Sequence, residues 1–303
     1  MATNETPGTA ATNSAGASSF GQRLAAAMDA YGPLCAGIDP HRSLVQDWGL
    51  TYDLAGVERF AMTCVEALGG EVAAIKPQSA FFEVFGSPGI ALLERVIDAA
   101  RDLGSLVILD VKRGDIGSTM EAYGEAFLGP HAPSPPDAIT LSPYLGYESL
   151  RPAIDLAAEH SRGVFALCLT SNPEGASVQH AVRDGESVAA AMARSAAGDN
   201  AAAREQGHLG SVGLVVGATV GTAVQDLGVD LAAMGGPVLA PGIGAQGATL
   251  DDVRAVFGAA LPQVLASSSR SILRSGPQVA KLRAAAHQEA ALLRALRDPD
   301  ALP

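Results

Sequence analysis

Cysteine is scarce in this 303-residue sequence. There are three, with no Cys-x-x-Cys pair among them. An odd number without paired spacing argues against a disulfide framework. Cys35 and Cys168 lie inside apolar runs that are typical of buried strands. The three cysteines are therefore predicted to be reduced core residues of a cytoplasmic protein.

Basic residues and long apolar segments are also in short supply. Lysine and arginine total 20 against 32 aspartates and glutamates, a net charge of −12, and no long basic run offsets it. This balance argues against a nucleic-acid partner or an anionic membrane surface. No apolar run reaches the roughly 18 residues of a membrane-spanning helix. No Gly-x-Gly-x-x-Gly follows the first predicted strand, so a dinucleotide-binding fold loses its main support.

The two ends of the chain differ in composition from its centre. Residues 1–19 are small and polar, without the basic start of a signal peptide, and predict a flexible tail. Residues 298–303 form a second short tail. Residues 20–297 are long enough for one large α/β domain.

Eight short apolar runs within 20–297 alternate with helical patterns. This regular alternation favours a single-domain (β/α)₈ (TIM) barrel over an open doubly wound sheet, which usually needs fewer strands. The interval 174–210 is the longest between strands and predicts an insertion or a lid. The runs lie at 34–38, 72–75, 105–109, 137–141, 163–169, 212–216, 237–240 and 263–266.

Polar residues collect where the predicted strands end. In a TIM barrel the active site lies at the carboxyl ends of the strands, so these side chains are expected to meet at one mouth. A single such residue is more often a turn or solvation feature, but this many at one mouth predicts a site. They are Asp39, Lys76, Asp110, Lys112, Ser142, Ser171, Thr219, Gln246 and Arg270.

The stretch 106–119 holds the densest charge. Asp110 and Lys112 are two residues apart on a predicted strand, so their side chains point to the same face, and Asp115 follows. Asp115 or Ser118 is expected to start the next helix. Local pattern leaves two interpretations open: a structural ion pair where strand meets loop, or a catalytic lysine held between carboxylates.

The ends of the seventh and eighth predicted strands favour an anion site. Residues 242–247 are rich in glycine and include Gln246, and Ser269-Arg270 follows the last strand. Barrel phosphate sites often use these two loops, in which backbone N–H groups and an arginine guanidinium donate hydrogen bonds to the phosphate oxygens. The alternative is a glycine-rich turn beside a surface arginine.

Several motifs occur together and in order between residues 20 and 273. They are Gly-Ile-Asp-Pro at 37–40, Ile-Lys-Pro-Gln at 75–78, Asp-Val-Lys-Arg-Gly-Asp at 110–115, Ser-Pro-Tyr-Leu-Gly at 142–146 and Ala-Pro-Gly-Ile-Gly-Ala-Gln-Gly at 240–247. The set resembles the orotidine 5′-phosphate decarboxylase family, and within it the longer bacterial (type 2) subgroup. The resemblance implies decarboxylation of orotidine 5′-monophosphate to uridine 5′-monophosphate, the last step of de novo UMP biosynthesis, without metal or organic cofactor.

The resemblance also implies roles for single residues. Lys112 would protonate C6 of the pyrimidine, with Asp110, Asp115 and Lys76 in its charge network. Asp115 would reach the neighbouring subunit's site, which implies a homodimer with shared sites. The substrate-binding residues would be Asp39 and Lys76 at the ribose, Ile116 and Thr119 across the dimer, Ser171 at the pyrimidine, and Gln246, Ser269 and Arg270 at the phosphate, together with Pro241.

Two other functions fit part of this pattern. One is a metal-dependent lyase or decarboxylase of the same barrel superfamily acting on a sugar phosphate, which would need further carboxylate ligands at strand ends. The other is a non-catalytic phosphate-binding barrel, which has no need of a costly Asp-Lys-Asp cluster. Ser269 also departs from the glycine that shorter family members often have at the position before the phosphate-binding arginine.

Overall fold

A computed structural model describes residues 18–243 and 248–297. The first of these residues belong to the start of the fold, because the Ser19 hydroxyl accepts the backbone N–H of Gln22 and caps the first helix. The predicted tails at 1–19 and 298–303 otherwise lie outside the described residues, and the domain boundaries stay predictions.

Eight parallel strands close into a barrel. Each strand pairs with the next in the chain, and the eighth pairs with the first. This arrangement confirms the predicted (β/α)₈ barrel. The strands are β1 (Leu34–Ile38), β2 (Ala74–Pro77), β3 (Leu106–Arg113), β4 (Ala138–Leu141), β5 (Gly163–Leu169), β6 (Val212–Val216), β7 (Val238–Pro241) and β8 (Val264–Ser268).

Helices surround the barrel and fill the intervals between its strands. The α-helices are Phe20–Tyr31, Arg42–Asp47, Leu54–Leu68, Ala80–Glu83, Gly86–Asp102, Gly117–Leu128, Arg151–Glu159, Ala176–Gln179, Val188–Asp199, Ala201–Glu205, Ala223–Asp226, Leu231–Met234, Leu250–Phe257, Arg270–Leu273 and Val279–Arg297. Short 3₁₀ helices cover Tyr147–Leu150, Pro173–Gly175 and Gly258–Gln263. Among the described residues, no helix is both long and apolar enough to cross a membrane.

The hydrophobic core has two parts. The larger lies between the barrel and its helices, and the smaller fills the barrel at the amino-terminal ends of the strands. Phe20 of the first helix closes that end, with its ring edge-on to Phe165 at a centroid distance of 6.0 Å. One end of the barrel is therefore sealed by apolar side chains, which leaves the carboxyl ends of the strands as the open mouth.

The structure departs from the sequence predictions in three places described here. β3 runs to Arg113 rather than ending at Leu109, so Asp110 and Lys112 lie within it. The long interval 174–210 contains a small antiparallel hairpin, Val182–Arg183 against Glu186–Ser187, that the sequence did not predict. The helix after β3 begins at Gly117 with Ile116 at its cap, so neither Asp115 nor Ser118 starts it.

Candidate active site

The end of β3 is bent by an irregularity in its pairing with β4. Leu109 pairs with Ile139 and Arg113 with Leu141, so residues 110–112 of β3 face the single residue Thr140. Lys112 accommodates the extra length with a φ of 43°, in the left-handed region that side chains other than glycine rarely adopt. Residues in such backbone conformations cluster at functional sites.

Asp110 is the centre of the polar cluster at the mouth. Its Oδ1 accepts from Lys112 Nζ at 2.6 Å and from the Thr140 hydroxyl at 2.8 Å. Its Oδ2 accepts from Lys76 Nζ and Gln78 Nε2, each at 3.0 Å. Four donors on one carboxylate fix its orientation, as a buried charge requires.

The charges in this cluster stabilise one another. Burial alone would raise the pKa of Asp110, but Lys76 and Lys112 outweigh it and hold that pKa well below its usual range. Burial alone would lower the pKa of Lys76, but Asp39 and Asp110 outweigh it and raise that pKa above its usual range. Asp110 is therefore an anion and Lys76 a cation at neutral pH.

Lys112 differs from Lys76 in exposure. The Lys76 side chain is 9% exposed, whereas that of Lys112 is 45% exposed although its Nζ touches the same carboxylate. Lys112 lines two adjoining cavities of about 470 and 910 Å³, on either side of the mouth. An ammonium that is held by a buried carboxylate and still open to a cavity has the geometry of a proton donor to a bound ligand.

Gln78 and Thr140 belong to this cluster but were not among the predicted site residues. Thr140 had a weak signal in the sequence, as the one polar residue of the otherwise apolar run Ala138–Leu141. Gln78 follows Lys76-Pro77 in one of the motifs. The contact of each with Asp110 depends on the barrel bringing β2, β3 and β4 side by side.

Asp39, at the end of β1, and Ser269, after β8, approach each other across Gly37. A Cβ on Gly37 would lie 2.7 Å from Ser269 Cβ and 3.3 Å from Asp39 Oδ2, so only glycine fits there. Among the described residues, Asp39 Oδ1 and Ser269 Oγ are buried without a hydrogen-bond partner. Buried polar atoms are normally satisfied, so this pair indicates a place where a ligand completes the site.

The predicted phosphate residues lie on the β7–β8 side of the mouth. Pro241 ends β7 and is level with Ser267 of β8. Ser269 follows β8, and Arg270 begins the short helix Arg270–Leu273. The fold thus brings Pro241, Ser269 and Arg270 to one side of the mouth, whereas Gln246 lies outside the described residues.

Four other predicted residues do not join the Asp110 cluster. Asp115 forms no ion pair with the part of the chain that the structure describes, and its Oδ1 accepts the backbone N–H of Ile116 at 2.8 Å. Ile116 is 61% exposed, and Thr119 and Ser171 are also exposed. Asp115, Ile116 and Thr119 follow β3 at the surface beside the mouth, and Ser171 follows β5.

The described residues do not form an evident metal-binding site. Within 18–243 and 248–297, no group of three or more histidine, cysteine, aspartate or glutamate side chains could hold a metal ion. The carboxylate at the centre of the mouth, Asp110, already accepts from two ammonium groups. This carboxylate therefore already has two cationic partners within the chain.

Comparisons with known proteins agree with this geometry. Residues 32–285 match the model of the "Orotidine 5'-phosphate decarboxylase / HUMPS family". Orotidine 5′-phosphate decarboxylases from Streptomyces coelicolor and Salinispora arenicola are each 57% identical to the chain. The first aligns over 91% of this chain and 97% of its own length, and the second over 91% and 98%.

Solved structures give the same result. A crystal structure of a candidate orotidine 5′-phosphate decarboxylase from Streptomyces avermitilis has a TM-score of 0.87 and 56% identity, covering 92% of this chain and 96% of that one. The Leishmania donovani OMP decarboxylase has a TM-score of 0.70 and 33% identity, covering 92% and 99%. The chain belongs to the orotidine 5′-phosphate decarboxylase / HUMPS family.

Proposed function

We propose that the protein decarboxylates orotidine 5′-monophosphate to uridine 5′-monophosphate and CO₂, as the last step of de novo UMP biosynthesis. Its relatives and the match to the family support this activity. The observation that carries the proposal is the half-exposed Lys112 side chain, which lines two cavities and whose ammonium lies 2.6 Å from the buried Asp110 carboxylate. No metal or organic cofactor takes part in the proposed reaction.

Lys112 provides the proton and the charge for the reaction. The bond between C6 and the carboxylate breaks, CO₂ leaves, and the electron pair stays on C6 as a vinyl carbanion. The Lys112 ammonium stabilises that carbanion and then donates one N–H proton to C6. Its salt bridge to Asp110 supports this role because it orients the ammonium before the substrate binds.

Asp110 and Lys76 hold the rest of the charge pattern. Asp110 lies beside the departing carboxylate, so its negative charge disfavours the charged substrate more than the neutral CO₂ that is formed. Lys76 neutralises Asp110 from the opposite oxygen and, with Asp39, binds the ribose hydroxyls. The unpartnered Asp39 Oδ1 supports that assignment, since a hydroxyl would donate to it.

The far end of the substrate is bound by the loops after β7 and β8. Arg270 pairs with the phosphate, Gln246 and Ser269 donate to it, and Pro241 lines the same site. Ser171 contacts the pyrimidine. The phosphate is remote from C6, so its binding energy orients the reacting carbon without taking part in the bond change.

The active enzyme is a cytoplasmic homodimer, and each of its active sites contains residues from both subunits. Asp115 completes the charge network of the partner's site, and Ile116 and Thr119 line it. The exposure of Ile116 and the absence of an ion pair on Asp115 within the described residues support this. Mixing the inactive Asp115→Asn and Lys112→Ala proteins tests this arrangement. If the sites are shared, a mixed dimer contains one site with both Lys112 and Asp115 intact, and turnover returns. If each site lies within one subunit, the mixture stays inactive.

The activity is tested by following the ultraviolet absorbance of orotidine 5′-monophosphate with purified protein, as prepared and with excess chelator. Fast decay that ignores the chelator supports the proposal. Decay that stops with chelator, or turnover of a sugar phosphate in its place, would favour the metal-dependent alternative. A folded protein that binds the nucleotide without decay would be the non-catalytic barrel.

A further inference from the structure

We propose that Thr140 is a positioning residue that sets the place of both Asp110 and Lys112 through a single hydroxyl group. The proposal rests on the decarboxylase function given above. Thr140 lies in β4, is 1% exposed, and occupies the position that faces the irregular segment 110–112 of β3.

The first part of the argument concerns the backbone of Lys112. Because three residues of β3 face one residue of β4, the strand ladder offers Lys112 N–H no regular partner at this point. The Thr140 hydroxyl oxygen accepts that N–H at 3.0 Å. A backbone N–H that is left out of the strand ladder needs another acceptor, so this hydrogen bond supports the left-handed conformation of Lys112.

The second part concerns the hydroxyl proton. A backbone N–H only donates and an ionised carboxylate only accepts, so the directions of both bonds are fixed. Thr140 accepts from Lys112 N–H and donates its proton to Asp110 Oδ1 at 2.8 Å. The Thr140 hydroxyl thus already donates one hydrogen bond and accepts another, and it is buried, so it has no proton to donate to the substrate. Its role is therefore to position other groups.

The two bonds together connect the Lys112 main chain and the Asp110 carboxylate through one side chain. Lys112 Nζ and Thr140 Oγ1 share Asp110 Oδ1, and the Lys112 main chain is tied to the same threonine. The ammonium and its carboxylate are thus held from one rigid point on β4. Misplacing a reacting group by about 1 Å can cost about 100-fold in rate.

Thr140→Val removes the hydroxyl and preserves the shape, and Thr140→Ser retains the hydroxyl. We expect kcat to fall about 10- to 100-fold in Thr140→Val with KM within about threefold of the wild type, and Thr140→Ser to recover most of kcat. The matched control is Ser105→Ala, which removes a buried hydroxyl that accepts the Gly70 N–H at 2.9 Å just before the start of β3. Its kcat should be unchanged although it also leaves a backbone N–H without its acceptor.

A general loss of stability would lower the kcat of Thr140→Val and Ser105→Ala alike, and that result would overturn the proposal. Unchanged kcat in Thr140→Val would also overturn it. A crystal structure of Thr140→Val is independent of turnover: we expect Lys112 Nζ to move away from Asp110 Oδ1, and an unmoved pair would refute the role. If wild-type protein shows no turnover, the decarboxylase function fails, whereas the crystal structure still decides the role of Thr140.

Discussion

Two sides of the barrel mouth differ in whether their polar side chains already have hydrogen-bond or ion-pair partners. On the reaction side, defined by Lys76, Asp110, Lys112 and Thr140, the hydrogen bonds that orient the charges are already made within the chain. On the proposed phosphate side, defined by Pro241, Ser269 and Arg270, two groups have no such partner within the described residues: Ser269 Oγ is buried without a hydrogen bond, and Arg270 forms no ion pair.

This difference matches the work that each side does in the proposed mechanism. Charges that stabilise a transition state contribute most when they are fixed before the reaction, because no reorganisation is then needed. Ligand affinity, by contrast, increases when protein groups without partners form their hydrogen bonds or ion pairs with the ligand. The reaction side should therefore control kcat, and the phosphate side should control KM.

The largest effect is expected for Lys112→Ala. Losing the proposed proton donor and its charge should lower kcat by about 10³-fold or more. The side chain is 45% exposed, so folding should be retained. Steady-state turnover and a thermal unfolding curve check both statements. Lys281→Ala, which removes an exposed lysine of the last helix, should leave both unchanged. Unaltered turnover in Lys112→Ala would remove Lys112 from the mechanism.

Asp110→Asn should damage both activity and stability. It removes the salt-bridge partner of the buried Lys76, and breaking a buried ion pair typically costs about 3 to 5 kcal/mol of unfolding free energy. Denaturant unfolding measures this loss, and turnover should fall with it. Asp29→Asn breaks an exposed pair with Arg297 and serves as the control. A variant with wild-type stability would mean that the reaction side is less tightly coupled than its hydrogen bonds indicate.

Much of the reaction side was predictable from the sequence because its parts are local. Asp110 and Lys112 are two residues apart at the end of a predicted strand, so the sequence already indicates that their side chains are close to each other. The eight strands were likewise visible as apolar runs bounded by glycine, proline and polar residues. Both patterns involve residues that are close together in the chain, so they can be recognised in a single sequence.

The rest depends on contacts between distant segments. The bend in β3 and the positive φ of Lys112 arise from pairing with β4, about 30 residues away along the chain. Thr140 resembles any strand threonine until that pairing places it against Asp110. The hairpin at 182–187 is a two-residue pairing, too short for periodicity to reveal.

Arg270→Ala should affect the phosphate side alone. A hydrogen bond to a charged group contributes about 1.5 to 3 kcal/mol, so KM should rise roughly 10- to 100-fold while kcat changes much less. Initial rates over a wide range of substrate concentration separate the two constants. Arg274→Ala, an exposed arginine one turn further along, is the matched control. A fall in kcat at constant KM would assign Arg270 to the reaction side and erase the distinction between the two sides.

The smallest effect is expected from pH. The pKa of Asp110 is held below its usual range, so its carboxylate stays charged above about pH 4 and loses its stabilising charge only as pH falls further. The pKa of Lys76 is raised, so its ammonium stays charged to about pH 10 and loses that charge only as pH rises further. Neither group titrates between pH 5.5 and 7.5.

A phosphate monoester does titrate in that window, with a second pKa of about 6. Going from pH 7.5 to pH 5.5 should therefore raise KM about three- to fivefold through loss of the dianion, while Asp110 and Lys76 contribute no change in kcat. Initial rates at several pH values measure both constants. In Arg270→Ala the KM should depend less on pH, because the guanidinium that distinguishes dianion from monoanion is gone. If kcat falls over this window at constant KM, the titrating group lies on the reaction side, and that side is less fixed than its geometry indicates.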